Sequence, residues 1–257
     1  MATLELEIVS ALQDNYVYLL HDAASGATAA IDPSTPEPVQ ERLAQKGWKL
    51  THIFTTHHHH DHTGGNVPLK RKTGCMVVGF SGDAARIPVL DYPVGDEGIF
   101  TFGEVGVRVL HVPGHTSGAI TYYLPSEQLA FTGDTMFTMG CGRLLEGTAE
   151  QLFHSLKRLT LALPKETRIY SGHEYAHGNA RFALTVEPGN AALQARFQHV
   201  ADLMDSHTPV QGFALAEELA TNPFLRTQSL EIRKTLGLES ASDEEIFAEL
   251  RRRKDAF

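Results

Sequence analysis

Cysteine is almost missing from this chain: Cys75 and Cys141 are the only two in 257 residues. They form no CxxC pair and no framework, which excludes a disulfide scaffold and suits a reducing compartment. Positive charge is also short. Lys and Arg total 22 against 31 Asp and Glu, a formal net charge of −9, so the broad basic footprint of a nucleic-acid binder is absent. Any anionic ligand must then be met by a local basic cluster. No apolar run is long enough to span a bilayer, and Met1 to Ser10 show no basic start followed by an apolar stretch. These absences predict a cytoplasmic protein with neither a membrane nor a nucleic-acid partner, and a monomer is the expected state. What is present is ordinary for a globular protein: with 42% hydrophobic and 21% charged residues, the chain can bury a sizeable core without cross-links.

Histidine is the exception. There are 14, and five fall between His57 and His62, in Thr55-Thr56-His57-His58-His59-His60-Asp61-His62. This run follows a predicted strand, Leu50–Thr56. In extended chain, residues two apart point the same way, so His57 and His59 can grip one ion together. Thr63-Gly64-Gly65 then supplies flexible residues for a turn, from which Asp61 and His62 leave in other directions and serve a second ion. Imidazole and carboxylate are ligands that zinc accepts, with iron and manganese as alternatives. A surface histidine tract or an expression tag is the plain alternative. The run is internal, however, and neither alternative calls for an interposed Asp or a Gly-Gly turn.

Three further candidates follow predicted strands. His115 lies after the strand ending at Val112, Asp134 after the one ending at Thr132, and His173 after Arg168–Ser171. Each is beside a glycine. Alone, each reads as an ordinary turn or a satisfied histidine; in this order they converge on one sheet edge. Other predicted strands are Leu4–Ile8, Tyr16–Leu20, Ala29–Ile31, Met76–Phe80, Val105–Val112, Ala119–Leu124 and Gln128–Thr132. Predicted helices are Val39–Lys46 and Glu150–Leu163, the second opened by capping-box spacing at Thr148–Gln151. After His173 the pattern turns helical. Leu193, Phe197, Val200 and Met204 form one apolar stripe, and Ser242–Glu245 is a further capping box. A boundary near residue 174 divides a mixed α/β metal domain, 1–174, from a small helical domain, 175–257.

HxHxDH followed by His, Asp and His at strand ends resembles the metallo-β-lactamase superfamily, over the whole first domain. The resemblance implies an α/β fold, the four-layer αββα sandwich with a helical C-terminal addition. It implies that His57, His59 and His115 hold one metal ion, that Asp61, His62 and His173 hold another, and that Asp134 bridges them. Two divalent ions, zinc foremost, would share a water deprotonated near neutral pH, and Asp61 and Asp134 would be the catalytic carboxylates. His58 and His60 match no ligand position, and Asp32 resembles an early strand-end aspartate that supports the ligands.

Within that superfamily four features resemble the glyoxalase II family. They are Asp14-Asn15-Tyr16, the segment Cys141–Thr148, Gly172-His173-Glu174-Tyr175, and the helical region with Asn222-Pro223-Phe224-Leu225-Arg226 and Arg251–Asp255. This resemblance implies hydrolysis of S-D-lactoylglutathione to glutathione and D-lactate, the second step of methylglyoxal detoxification. Arg143, Tyr175, Arg251 and Lys254 would contact glutathione. For Arg251–Lys254 the plain alternative is a solvated basic helix end. Some relatives carry Lys in place of Arg143 and Tyr in place of Leu145, so one hydroxyl contact is missing here. Cys141 is read as a structural thiol. Rival readings are a persulfide dioxygenase with a single iron, which would lack the helical domain, a metal-dependent nuclease, and a non-catalytic scaffold, which would have lost ligands.

Overall fold

The computed structural model describes residues 4–257, so residues 1–3 of the expected first domain lie outside the described residues. β1 (Leu4–Ala11), β2 (Asn15–Asp22) and β3 (Ala27–Ile31) are antiparallel neighbours, with Ile8 opposite Tyr18 and Leu20 opposite Ala29. Helix α1 (Pro36–Lys46) begins on a proline, whose missing N–H costs nothing in a first turn. It is followed by β4 (His52–Phe54), the short helix α2 (His60–Thr63), α3 (Asn66–Thr73), β5 (Met76–Phe80) and β6 (Tyr92–Val94). β3 to β6 pair in parallel and complete a sheet of order β1-β2-β3-β4-β5-β6. Its central strands are buried on both faces, which explains why β2 and β3 read as nearly continuous apolar runs. β7 (Ile99–Phe102), β8 (Val105–His111), β9 (Ile120–Leu124) and β10 (Leu129–Gly133) form an antiparallel meander.

Two cores hold these layers. Val39 and Leu43 of α1 and Leu69 of α3 pack on Val17, Leu19, Ala30, Ile53 and Val77. On the opposite face an aromatic layer joins the sheet to the meander. Tyr18 meets Phe131 at 5.3 Å between ring centroids, and Phe54 meets Phe102 at 5.4 Å and Tyr122 at 5.2 Å. Aromatic pairs at such distances add about 0.5–1.5 kcal/mol each beyond their buried area.

The chain divides into two compact units, one of residues up to His111 with Gly118–Gly133, the other of Val112–Ser117 with Asp134–Phe257. This division is drawn differently from the expected one at residue 174. The second unit holds the two-residue strands β11 (Met136–Phe137) and β12 (Gly140–Cys141), α4 (Ala149–Ala162), β13 (Arg168–Ser171), α5 (Ala176–Val186) and α6 (Ala191–Asp205). Then come β14 (Phe213–Ala214), which pairs with β13, α7 (Leu215–Thr221), a 3-10 turn at Pro223–Leu225, α8 (Leu230–Leu236) and α9 (Asp243–Asp255). Phe153 of α4, Phe224 and Phe247 of α9 are in ring contact, while α5 and α6 enclose a second cluster around Ala180, Leu193 and Val200.

Both predicted capping boxes form, at Thr148–Gln151 and Ser242–Glu245. Two departures concern the site. The histidine run ends in helix α2, not an open turn, and Gly64 and Gly65 keep ordinary right-handed backbone. Glycine is needed there for closeness: a Cβ on Gly65 would lie 2.7 Å from the Pro33 carbonyl. The β11–β12 hairpin went unforeseen because two-residue strands are too short to show alternation.

Candidate metal centre

In the first unit, Asp32 ends β3 in left-handed backbone (φ 50°) and is buried. Its carboxylate accepts the Thr56 N–H at 2.7 Å, the Thr56 hydroxyl at 2.5 Å and the His62 Nδ1–H at 3.1 Å. Asp32, His57 and His62 present ligand atoms within 4.8 Å of one another, yet these three bonds already occupy Asp32. Its place is behind the candidate ligands. Because the Thr56 proton points to Asp32, the Thr56 oxygen can only accept from His57 Nδ1, 3.0 Å away. In their neutral form both histidines are thereby Nδ1–H tautomers, which turns Nε2 outward as the atom able to bind a metal. His62 Nε2 then faces the Asp61 carboxylate at 3.4 Å, and His57 Nε2 faces His59 Nδ1 at 3.1 Å.

The second unit repeats this logic. His115 Nδ1 donates to the Arg143 carbonyl at 2.9 Å, which leaves its Nε2 facing Asp134 Oδ2 at 3.5 Å. His173 Nε2 approaches the same oxygen at 3.3 Å. Gly142 makes this approach possible, since a Cβ there would collide with the Asp134 carbonyl and lie 3.1 Å from His115 Cβ. Where such an imidazole is neutral, a cation between its Nε2 and the carboxylate oxygen is attracted by both. This donor set of buried imidazoles and carboxylates fits divalent metal ions.

The other histidines of the run separate cleanly. His60 is exposed. His58 is held by Asp83 at 3.2 Å, which Arg86 also bonds. Two supports carried no recognisable chemistry in the sequence. Asn15 donates to the Asp61 carbonyl at 3.1 Å and to its carboxylate at 3.2 Å; only its place in Asp14-Asn15-Tyr16 hinted at a role. Phe137 packs beside His173 and Tyr175.

The proposed substrate residues all belong to the second unit but differ in setting. Arg143 is exposed, and Tyr175 is 41% exposed with its ring stacked on His173 at 4.9 Å. Arg251 is buried. It donates to the Cys141 carbonyl at 2.9 Å and the Gly142 carbonyl at 3.3 Å and pairs with Asp255 at 2.7 Å. Lys254 donates to the Gly178 carbonyl at 3.1 Å and lies over the rings of Phe182 and Phe257. Burial, followed by the positive charges of Arg251, Arg143 and Arg181, lowers its pKa to about 8. Arg143, Arg181, Arg251 and Lys254 thus form a local basic cluster with Asp255 as its acidic member.

Residues 13–173 match the model of the metallo-beta-lactamase superfamily, and residues 174–257 match that of the hydroxyacylglutathione hydrolase C-terminus. The chain belongs to the hydroxyacylglutathione hydrolase family of that superfamily. A hydroxyacylglutathione hydrolase of Methylococcus capsulatus is 52% identical over 254 residues, which is 99% of both chains, and one of Brucella ovis is 49% identical, covering 99% of this chain and 98% of its own. Among solved structures, ETHE1 from Myxococcus xanthus shares 27% identity over 99% of both chains with a TM-score of 0.67. The protein TTHA1623, in a di-iron-bound form, shares 29% identity over 86% of this chain and 100% of its own, with a TM-score of 0.59. The expected fold class is therefore the one found. Fold and length do not by themselves separate the branches of this superfamily; the match of the helical region does. Among the described residues no helix is long and apolar enough to cross a membrane.

Proposed function

We propose that this chain hydrolyses S-D-lactoylglutathione and related S-2-hydroxyacylglutathiones, releasing glutathione and the 2-hydroxy acid. Its family bears that activity in its name, and the relatives match over nearly their whole length. The observation that carries the reading is the orientation of His57, His62 and His115. Each gives its Nδ1–H to an oxygen and turns its Nε2 outward, and in His62 and His115 that Nε2 faces a carboxylate at a separation suited to a shared cation. We assign His57, His59 and His115 to one divalent ion, Asp61, His62 and His173 to another, and Asp134 to both, with zinc the proposed metal. When bound, such ions supply Lewis acidity and make a hydroxide available near neutral pH.

The chain's own residues account for the rest. Arg143 and Lys254 supply cations for the carboxylates of the tripeptide, and Tyr175 offers an exposed aromatic beside His173. Arg251 supports them indirectly by holding the Cys141–Gly142 backbone. Water adds across the C–S bond, the acyl carbon gaining the hydroxyl and the sulfur the proton. A thiolate leaves readily, so no strong general acid is required. Cys141 is no candidate nucleophile, because burial pushes its thiol up to about 11 and nucleophilic attack needs the thiolate.

Metal analysis together with a thioesterase assay on S-D-lactoylglutathione tests the reading. It expects two ions per chain and turnover lost on chelation. Saturation at one ion, or no hydrolysis by fully loaded protein, would sink it.

A further inference from the structure

The motif Asn222-Pro223-Phe224-Leu225-Arg226 has no part in the chemistry described so far, and its asparagine is fully buried. Asn222 follows α7, four residues after Glu218, and both side chains turn toward the β11–β12 hairpin. Asn222 Nδ2 donates to the Gly140 carbonyl at 2.9 Å, the Phe137 carbonyl at 3.3 Å and Glu218 Oε2 at 3.1 Å. Its Oδ1 accepts the Phe224 N–H at 3.1 Å. Glu218 Oε2 accepts the Met139 N–H at 2.9 Å, while Oε1 pairs with buried Arg196. Asn179 of α5 adds a bond to the Thr138 carbonyl at 3.1 Å.

These bonds fall where the hairpin needs them. Met139, at the tip, is a buried non-glycine residue in left-handed backbone (φ 54°), a conformation held only where the surroundings over-determine it. Asp134 lies just before the hairpin and Arg143 just after it. The Gly142 N–H bonds to the Thr135 carbonyl at 3.3 Å, tying the two ends together, and the Arg143 carbonyl receives His115 Nδ1. The hairpin is thus the covalent link between a metal-ligand segment and a substrate-holding residue.

We propose that Asn222 and Glu218 are positioning residues for the hydrolase reaction, setting Asp134 and Arg143 together through the Phe137–Gly142 backbone. This inference rests on the functional reading above. It also gives the motif a purpose: a helical segment far along the chain fixes the spacing between the metal-binding end of the hairpin and its glutathione-binding end. Removing Asn222 Nδ2 takes away its bonds to the Phe137 and Gly140 carbonyls and lets the hairpin shift as a unit. Both ends should then suffer at once.

The test compares Asn222→Ala with Arg226→Ala, assayed as metal-loaded holoenzymes. Arg226 belongs to the same motif but bonds Glu187 and the Leu219 carbonyl, not the hairpin. Asn222→Ala should lose zinc to a chelator roughly 10–100-fold faster, the range for groups that orient ligands, and should raise KM for lactoylglutathione as well as lower kcat. Arg226→Ala should lower Tm but keep the wild-type chelator rate and KM. Equal behaviour of the two variants, or wild-type metal retention in Asn222→Ala, would overturn the proposal. Should Asn222→Ala fail to fold, Asn179→Ala removes a single tether, and the same two readouts decide. Wild-type protein inactive on the thioester would instead refute the functional reading, while chelator release still judges the positioning role.

Discussion

In the first unit, His57 and His62 are neighbours in one short segment, and a single carboxylate, Asp32, orients both, one directly and one through Thr56. In the second unit, His115, Asp134 and His173 come from three separate segments, and a backbone carbonyl beyond a hairpin orients His115. The first arrangement is local: a strand end and one helical turn suffice, with Asp32 behind them. The second depends on long-range packing, since the hairpin that ends in Gly142 and Arg143 is held by side chains of α5, α7, α9 and the turn after α7. The difference teaches that a dense cluster of candidate ligands needs one strong support, whereas dispersed candidates need a network.

The largest expected effect breaks the second arrangement at its centre. Asp134→Ala should abolish turnover and weaken both ions, beyond the roughly 10–100-fold cost of altering a supporting group; elemental analysis and single-turnover assays check it. His58→Ala, one residue from a proposed ligand, should keep both ions because its ring is directed to Asp83. Metal loss from His58→Ala as complete as from His57→Ala would show that the register through the run is wrong.

Next comes the support of the first arrangement. Asp32→Ala removes the acceptor for three donors, including the buried Thr56 N–H. Metal affinity should fall about 10–100-fold, and an orphaned buried donor should cost about 1–3 kcal/mol of stability. Isothermal metal titration and denaturant unfolding of the metal-free protein separate the two contributions. If affinity is unchanged, Asp32 does not orient His62.

A subtler effect concerns substrate. Lys254→Ala should raise KM for the glutathione thioester with little change in kcat, since a carboxylate contact exists equally in ground and transition states. The loss should be about 1–3 kcal/mol and shrink in high salt. With its pKa near 8, Lys254 is charged below that pH and loses its proton above it. Therefore kcat/KM for the glutathione thioester should decline as pH rises through about 8, and that decline should be missing in Lys254→Ala. A small thioester lacking the tripeptide should be indifferent to the variant; equal losses on both substrates would reduce Lys254 to a helix-end charge.

The smallest effect belongs to the surface of the same helix. Glu249 pairs with Arg252 and Arg253, whose hydrogen bonds hold its carboxyl at about 2. Its folded pKa is depressed, so its contribution is present above the usual glutamate range and is lost as pH falls toward 2. Glu249→Gln should change stability at pH 7 by no more than about 0.2–1 kcal/mol, as measured by urea unfolding. A larger loss would show that α9 depends on its surface pairs more than on Ile246, Phe247 and Leu250.

Much of this is legible in the sequence. Tight spacing in HxHxDH, capping boxes at Thr148 and Ser242, and apolar strands ending at candidate ligands are local features. Local features follow from backbone geometry and residue chemistry, which a sequence carries directly. The expectation that His57 and His59, not His58 and His60, are the ligands came from the family resemblance instead. What the tertiary structure alone decided concerns partners distant along the chain. Thr56 relays Asp32 to His57, Asn15 meets Asp61, and Asn222 and Glu218 grip a hairpin that no periodicity announces. The two basic residues Arg251 and Lys254 look alike in sequence. Packing buries the first against the Cys141 and Gly142 carbonyls and leaves the second only partly covered among other cations. A hydrogen-bond donor takes its role from the acceptor that folding brings to it, and that acceptor is set by three-dimensional packing, not by neighbouring residues.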